Sequence, residues 1–346
     1  MAHPHTDPDL ATAYWTTGPC RGELRREELP APGEGEARVR ALYSGHSRGT
    51  ESLVHAGRVP DRVADIMEAP HQAGHFPAPV KYGYLSVGVV EEGPAELAGR
   101  TVFCLYPHQD RYVVPAADLV PLPEGVPPRR AVLAGAVETA VNALWEAGPR
   151  IGDRVAVVGC GLIGASVAAL LRRFPLGRLE AVDSDPSKAH LAAALGVDFA
   201  LPQDAAEDCD LVFHASASAA GLARCLEIAG DDGEVIELSW YGDGEVAVPL
   251  GADFHARRLS LRASQVGQVA TPRRHRRTTR DRLRLALELL ADDAFEAFLG
   301  PETDFADLPA AMDRLGQGGE GLCGVIRYPG PRGPDTKEGH VQPDRP

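Results

Sequence analysis

A glycine-rich turn is the first feature of this sequence whose residue types and spacing indicate a chemical task. The segment Val155-Ala-Val-Val-Gly-Cys-Gly-Leu-Ile-Gly164 follows an apolar strand pattern and opens a helical one. In such a turn the first glycine permits a tight bend, the second lets the backbone approach a pyrophosphate, and the third lets helix and strand pack closely. The helix then offers free N–H groups to the phosphates. We therefore predict a dinucleotide site at Gly159, Gly161, Leu162, Ile163 and Gly164. The alternative is a plain strand-to-helix turn in some other α/β protein.

An acidic residue at the end of the next predicted strand indicates which dinucleotide is bound. Asp183 lies 19 residues after Gly164, the spacing expected for a carboxylate that accepts hydrogen bonds from the adenosine ribose. Its charge would repel a 2′-phosphate, so the sequence favours NAD(H) over NADP(H). Asp185, which precedes a proline, is interpreted as a helix cap instead.

Composition excludes several other classes of function. With 35 basic and 49 acidic residues the net charge is -14, which argues against nucleic acid or an anionic membrane as a partner. The six cysteines are far apart and form no C-x-x-C pair, so neither a disulfide framework nor a thiolate zinc lobe is predicted. The N-terminus has no signal-peptide pattern, and no apolar run reaches the roughly 20 residues that span a bilayer. A cytoplasmic location is expected.

The elements that must position these residues alternate along the second half of the chain. Apolar strands and helical segments succeed one another there, a pattern typical of a doubly wound parallel sheet with helices on both faces. The predicted strands are Val155–Val158, Leu179–Asp183, Cys209–His214, Val235–Ser239 and Leu259–Ala263, with helices from Ala131, Ile163, Pro186 and Ala219. The fold class is therefore α/β, with a Rossmann-type sheet.

The first part of the chain has a different texture. Short apolar runs separated by glycine and proline turns predict a mostly-β domain, with a long loop over residues 55–80. We assign residues 11–135 to this domain, 136–270 to the dinucleotide-binding domain, and 271–328 to a return segment that packs on the first domain. Residues 1–10 and 330–346 are expected to be disordered.

This order of segments resembles the medium-chain dehydrogenase/reductase superfamily, in its zinc-type alcohol dehydrogenase branch. The resemblance covers nearly all of residues 11–328. It is carried by Ser44-Gly-His-Ser-Arg-Gly-Thr-Glu51, by Lys81-Tyr-Gly-Tyr-Leu-Ser-Val-Gly88, by Arg111-Tyr-Val-Val-Pro115 and by the glycine motif. The first stretch is particularly similar to the subgroup that contains 3-hydroxyethyl bacteriochlorophyllide dehydrogenase. The resemblance implies a GroES-like catalytic domain beside the Rossmann domain, a substrate cleft between the two, and a homodimer formed edge to edge.

The zinc ligands of that family are missing. The family's cysteine position holds Ser47 or Arg48, depending on register. Its histidine position falls in Gly83-Tyr84-Leu85, and its third ligand falls near Gly135. None of these side chains replaces a thiolate or an imidazole, so we expect no zinc. His46, His71, His75, Cys104 and His108 could form an atypical metal site, but we interpret the histidines as surface loop residues.

Without zinc, another group must stabilise the alkoxide that develops on the substrate. Tyr84 is the first candidate because it occupies the position of the lost histidine, with its phenol packed on backbone as the alternative. A cation at Lys81 would lower the pKa of this tyrosine. His46 and Glu51 flank the other lost ligand and are candidates for proton relay or substrate contact.

Three further charged sites are candidates on weaker grounds. Glu138 lies in an apolar helical segment, so it either faces the cleft or pairs with an arginine. Arg48 is a candidate for the cofactor pyrophosphate, or a surface charge. Seven arginines fall within residues 273–284, in a segment that the resemblance places near the cleft mouth. Arg276 and Arg277 are therefore candidates for binding an anionic substrate, although such a run is usually solvated.

Three functions are compatible with these residues. The leading hypothesis is an NAD(H)-dependent oxidoreductase that interconverts a secondary alcohol and a ketone without zinc. The second is a zinc-free reductase of an activated C=C bond or a quinone, which Asp183 disfavours because such relatives generally use NADPH. The third is a non-catalytic dinucleotide-binding protein.

Overall fold

The computed structural model describes residues 9–315 and 321–330 of the 346-residue chain. Its N-terminal part is mostly β, because short apolar runs alternate with tight turns. The strands are β1 (Leu10–Gly18), β2 (Arg21–Glu28), β3 (Glu36–Ser47), β4 (Ala73–Gly74), β5 (Val80–Lys81), β6 (Ser86–Glu92), β7 (Thr101–Cys104), β8 (Arg111–Pro115) and β9 (Val120–Pro121); one helix, α1 (Thr50–His55), follows β3.

The central part of the chain alternates strands with helices. Its elements are α2 (Pro128–Ala131), α3 (Ala134–Ala147), β10 (Arg154–Val158), α4 (Leu162–Leu171), β11 (Arg178–Val182), α5 (Ala189–Leu195), β12 (Asp198–Ala200), β13 (Cys209–His214), α6 (Ala219–Ile228), β14 (Ala229–Glu237) and β15 (Ser260–Ala263). These six strands form one parallel sheet in the order β12-β11-β10-β13-β14-β15. Helix α4 packs on one face of this sheet and α6 on the other. The predicted α/β fold class is confirmed.

The last part of the chain returns to the N-terminal sheets. It contains α7 (Thr279–Leu289), β16 (Leu299–Asp304), α8 (Leu308–Asp313) and β17 (Cys323–Arg327). Strand β17 pairs antiparallel with β3, and the resulting sheet has the order β16-β17-β3-β6-β7-β9, with β8 also pairing with β3. A second sheet has the order β2-β1-β5-β4. The return segment is therefore built into the mostly-β part.

Several local expectations were wrong. Leu10 begins strand β1 and so does not belong to a disordered tail; residues 1–8 and 331–346, the rest of that prediction, lie outside the described residues. The stretch 55–80 is not a plain loop, since it contains two 3-10 turns and the short strand β4. The helix expected from Ala131 is divided at Val132 and Leu133, because the N–H of Leu133 bonds the carbonyl of Arg130 in a tighter turn. Strand β2 was missed because its side chains are mostly charged.

None of the helices in the described part of the chain has the length and hydropathy needed to span a bilayer. All six cysteines are free, as the absence of a disulfide pattern predicts.

A buried ion pair joins α3 to α7. Arg282 Nε lies 3.0 Å from Glu138 Oε1 and Arg282 Nη1 lies 2.6 Å from Asn142 Oδ1. The side chains of Arg282 and Glu138 are only 2% and 5% exposed. Burial raises the pKa of Glu138, although the Arg282 charge opposes that rise. Glu138 therefore pairs with an arginine and holds two helices together, which was the alternative to a free carboxylate in the cleft; a catalytic role of Glu138 stays a prediction.

This pair makes a prediction about stability. Replacing Arg282 by Met leaves the Glu138 carboxylate buried without its cation, so the free energy of unfolding should fall by about 3–5 kcal/mol. Arg284→Met, two residues further along the same helix and exposed, is the control and should change it by less than about 0.5 kcal/mol. Denaturant unfolding measures both. Equal effects of the two substitutions would show that the pair has no special role.

Candidate functional site

The turn between β10 and α4 has the geometry that its glycines predict. Gly159 has a φ of +103°, and a Cβ placed there would lie 2.6 Å from the backbone nitrogen of Ser216. A Cβ on Gly164 would overlap the carbonyl oxygen of Gly159. A Cβ on Gly161, by contrast, would meet no protein atom within 4 Å. Two glycines are thus required by the protein itself, while the space over the third is free for a ligand.

The N-terminus of α4 points its amides into this free space. Leu162 and Ile163 form the first turn of the helix, and no side chain among the described residues caps it at Gly161. Asp183 follows β11 beside the same turn, where Oδ2 accepts a hydrogen bond from the N–H of Cys160 at 2.6 Å. Its Oδ1 accepts one from Asp185 N at 2.9 Å. An anion-binding helix terminus and a carboxylate therefore lie together at the carboxyl edge of the sheet.

Tyr84 contacts the residues expected at the other two ligand positions of the resembling family, Ser47 and Gly135, and these three residues are called the Tyr84 cluster below. Its hydroxyl oxygen lies 3.0 Å from Ser47 Oγ, and its ring covers Gly135, where an added Cβ would lie 3.6 Å from Tyr84 Cδ2. Arg48 instead donates to the carbonyl of Gly321 at 3.0 Å. Of the two residues that the sequence offers for the first ligand position, Ser47 faces Tyr84 and Arg48 bonds Gly321. Contact of Arg48 with a cofactor stays a prediction.

A buried carboxylate lies directly behind this cluster. Glu51 accepts a hydrogen bond from the N–H of Ser47 at 3.1 Å, and its other oxygen lies 2.9 Å from His108 Nε2. His108 Nδ1 in turn lies 2.8 Å from Ser44 Oγ, which is 3.0 Å from the hydroxyl of Tyr328. The Glu51 and His108 side chains are each 1% exposed. His108 is thus no surface loop residue; it holds Glu51, which holds the backbone of Ser47.

Lys81 does not act on Tyr84. Its ammonium nitrogen lies 2.7 Å from Glu27 Oε2 and 2.8 Å from Gln109 Oε1. Burial, and next the charge of Glu51, raise the pKa of Tyr84 above its usual value, while bonds to Ser47 and Thr50 oppose the rise. The expected lowering by Lys81 was wrong because the cation is neutralised elsewhere. Tyr84 is a hydrogen-bond donor at neutral pH.

His46 is close to this cluster and uncharged. Its ring packs against the backbone of Gly324 so closely that a Cβ there would overlap the imidazole. Burial lowers the pKa of His46 to about 4. Nδ1 has no hydrogen-bond partner among the residues that the structure describes. The ring is therefore neutral at neutral pH, where it can accept a hydrogen bond.

Arg276 and Arg277 do not join the cluster. Both are exposed, and Arg277 lines a groove with Trp145 and Arg273 beside α7. Trp145 lies ten residues beyond Gly135 on α3, a rise of about 15 Å along the helix. The role of Arg276 and Arg277 in substrate binding stays a prediction, and the geometry around Tyr84 does not support it.

The donors around Tyr84 do not fit a zinc ion. The three expected ligand positions hold a serine hydroxyl, a phenol and a glycine, whereas zinc sites in proteins use thiolate, imidazole and carboxylate. Within residues 9–315 and 321–330, no three His, Cys, Asp or Glu side chains are grouped so that they could hold a metal ion.

A second polar cluster, which was not predicted from the sequence, lies at the carboxyl ends of β13 and β14. His214 is the last residue of β13 and Glu237 the last of β14, and His214 Nδ1 lies 2.7 Å from Glu237 Oε2. The sequence feature that could have revealed this cluster is the polar residue at the end of each of these two neighbouring apolar strands.

Comparison with known proteins agrees with this architecture. No family model matches the chain. L-threonine 3-dehydrogenase of Bacillus velezensis is 27% identical over 138 residues, which cover 36% of this chain and only 40% of that enzyme. L-idonate 5-dehydrogenase of Escherichia coli superimposes with a TM-score of 0.76 at 16% identity, over 92% of this chain and 98% of that one. A putative zinc-binding dehydrogenase of Sinorhizobium meliloti bound to NADP gives 0.74 at 16% identity, over 92% and 99%.

The chain has the Rossmann plus GroES-like fold of these dehydrogenases. In this fold β10–β15 form the Rossmann sheet, and the mostly-β part with its return strands is the GroES-like domain. The predicted fold is confirmed in both parts.

The glycine turn yields a prediction that separates binding from folding. Gly161 has a φ of -72° and open space at its Cβ, so Gly161→Ala should change the free energy of unfolding by less than about 1 kcal/mol. The added methyl group would, however, occupy the space of a pyrophosphate. We expect NADH affinity to fall about tenfold or more, equivalent to about 1.4 kcal/mol.

Fluorescence titration with NADH and thermal unfolding measure the two effects. Gly251→Ala, which also has free space at its Cβ, is the matched control and should leave the affinity unchanged. Undiminished NADH binding by Gly161→Ala would contradict the assignment of the turn.

Proposed function

We propose that the protein is an NAD(H)-dependent oxidoreductase of the medium-chain dehydrogenase/reductase type, which interconverts a secondary alcohol and a ketone without zinc. The observation that carries the proposal is the contact of Tyr84 with Ser47 and Gly135. A hydrogen-bond donor thus occupies the place from which the family's metal would polarise the substrate oxygen. The similarity to threonine and idonate dehydrogenases supports the dehydrogenase class.

The nicotinamide supplies or accepts the hydride when it is bound. In the reducing direction, Tyr84 donates a hydrogen bond to the carbonyl oxygen as negative charge develops there. The raised pKa of Tyr84 keeps its proton in place until the alkoxide forms. Ser47 holds the phenol oxygen, and Glu51 fixes the backbone of Ser47. The chain thereby provides a fixed donor in a partly buried site.

The sharpest test of this role is Tyr84→Phe, which keeps the ring over Gly135 and removes only the hydroxyl. We expect kcat to fall about 100- to 1000-fold, as when one donor to a developing oxyanion is lost. The affinity for NADH should not change, because the hydroxyl bonds Ser47 and not the glycine turn. NADH oxidation by acetophenone and by aliphatic ketones is the assay.

Tyr43→Phe, in strand β3, is the control and should keep full activity. Treatment with 1,10-phenanthroline should leave the wild-type rate unchanged, since no zinc takes part. Unaltered turnover by Tyr84→Phe would remove the phenol from the mechanism. Reduction of enones but not of ketones would favour the C=C reductase, and tight NADH binding with no turnover would favour the non-catalytic protein.

Asp183 gives a separate prediction about the cofactor. Its carboxylate lies beside the glycine turn, where it would accept hydrogen bonds from the ribose hydroxyls and repel a 2′-phosphate. Asp183→Asn removes the charge at nearly constant shape, so the preference for NADH over NADPH should fall about tenfold, or about 1.4 kcal/mol.

The matched control is Asp185→Asn, two residues further along and engaged with the N–H of Ser187. It should leave the ratio of the two affinities unchanged. If wild-type protein binds NADPH more tightly than NADH, the assignment of NAD(H) is wrong.

A further inference from the structure

A chain of hydrogen bonds around a buried histidine lies at the carboxyl edge of the Rossmann sheet, outside the Tyr84 cluster. His214 is fully buried, and both of its ring nitrogens are engaged. Nδ1 lies 2.7 Å from Glu237 Oε2 and Nε2 lies 2.7 Å from Ser216 Oγ. Two neighbouring strands thus end in a histidine and a carboxylate that face each other.

Glu237 is the centre of this chain. Its Oε1 accepts a hydrogen bond from the N–H of Ser239 at 2.7 Å, and its Oε2 accepts one from the hydroxyl of Tyr241 at 3.1 Å. The hydroxyl of Ser239 accepts one from the N–H of Ala217 at 3.0 Å. The carboxylate and its partners therefore tie the loop after β13 to the loop after β14.

The electrostatics favour an ionised carboxylate. Burial alone would raise the pKa of Glu237, but the hydrogen bond and charge of His214, together with the Ser239 N–H, lower it below its usual value. The other titratable groups near Glu237 are Tyr241 and Cys225, and burial raises the pKa of each. Both are therefore neutral at physiological pH, and His214 is the basic group opposite Glu237.

The position of these hydrogen bonds in the fold indicates what they do for the bound cofactor, an inference that rests on the proposed function. Strand β10 has β11 on one side and β13 on the other, so the chain order reverses there, and ligands of such sheets bind in the crevice at that point. Asp183, after β11, marks the adenosine side. The backbone of Ser216, after β13, closely approaches Gly159 from the opposite side. The loops tied by Glu237 thus border the nicotinamide half of the crevice.

The loop after β14 also reaches the catalytic domain. Trp240 packs against an apolar cluster of that domain, and Tyr84 packs against the same cluster. Three residues further on, Asp243 Oδ1 accepts a hydrogen bond from Arg58 Nε at 2.9 Å. Displacement of this loop would therefore disturb both the cofactor crevice and the wall of the Tyr84 cluster.

We propose that Glu237 and His214 are positioning residues for hydride transfer. By holding residues 215–218 and 238–244 in register, they fix the nicotinamide half of the dinucleotide beside Tyr84. Neither residue needs to touch the reacting atoms, and the adenosine half is bound independently of them.

The test compares ligands that do and do not include the nicotinamide half. Glu237→Gln keeps the shape of the side chain but removes the charge that holds His214, Ser239 and Tyr241. We expect the Kd of NADH to rise and kcat to fall, each about 10- to 100-fold, as for loss of charge-assisted hydrogen bonds. The Kd of 5′-AMP, which occupies only the adenosine side, should stay within about twofold of the wild-type value. Calorimetric titration and ketone-dependent NADH oxidation measure these values.

Glu146→Gln is the matched control. The Glu146 side chain is 10% exposed, against 14% for Glu237. It too accepts from a basic side chain, that of Arg262, and from a backbone N–H, that of Thr271. It lies at the far end of α3, so this substitution should cost stability without changing the ratio of NADH to 5′-AMP affinity. Tyr241→Phe removes a single hydroxyl and should raise the Kd of NADH and lower kcat by a smaller factor than Glu237→Gln. This second variant provides the test if Glu237→Gln does not fold.

Three results would overturn the inference. Glu237→Gln and Tyr241→Phe could leave both affinities and kcat unchanged. The two substitutions could also lower the affinities for NADH and for 5′-AMP equally, as general destabilisation of the protein would. Finally, wild-type protein that binds 5′-AMP but gains nothing from the nicotinamide half would have no positioned ring. Failure of the proposed function looks different, since wild-type protein would then bind neither NADH nor 5′-AMP, or would bind NADH without reducing ketones.

Discussion

The close approach of three backbone segments at the turn after β10 is the constraint on which the rest of the site depends. Gly159 takes a positive φ, the chain after β13 passes against it, and Gly164 packs on its carbonyl oxygen. No side chain beyond hydrogen fits at these two positions. This contact fixes where α4 begins, how the loop after β13 leaves the sheet, and hence where the free amides and the polar strand ends meet. A ligand at that edge encounters a preformed crevice, so little binding energy is lost in ordering the backbone.

Much of the fold could be predicted from the sequence because its signals are local. The glycine turn, the apolar runs of the parallel strands and the helix that opens at Leu162 each need only neighbouring residues to be recognised. The four-residue segment Val155–Val158 and the strand Cys209–His214 lie within one residue of the observed bounds. Strand β2 was missed because it lacks such a local signal: its side chains are mostly charged, and it is a strand through its pairing with β1.

The candidate site was less predictable because its decisive interactions join residues far apart in the chain. Nothing near Lys81 in the sequence indicates that Glu27 and Gln109 engage its ammonium group, and so the effect expected on Tyr84 was reversed. Glu138 was recognised as costly in an apolar helix, but only the packing of α7 against α3 decides between the cleft and Arg282. In each case burial and a distant partner set the chemistry of the group, and neither can be read from spacing.

The two halves of the site are built on the same physical device. In the GroES-like domain Glu51 bonds His108 and the N–H of Ser47; in the Rossmann domain Glu237 bonds His214 and the N–H of Ser239. A buried carboxylate paired with histidine contributes little net stability, because desolvation offsets most of the attraction. It does restrict geometry, since each oxygen must meet its donor or remain unpaired at high cost. Such pairs are therefore poorly explained as stabilising elements and well explained as fixed supports for the groups in front of them. In the proposed mechanism, where a phenol acts without a metal, this support matters more than it would for a metal-bound oxygen, because a single hydrogen bond stabilises an alkoxide only within narrow limits of distance and angle.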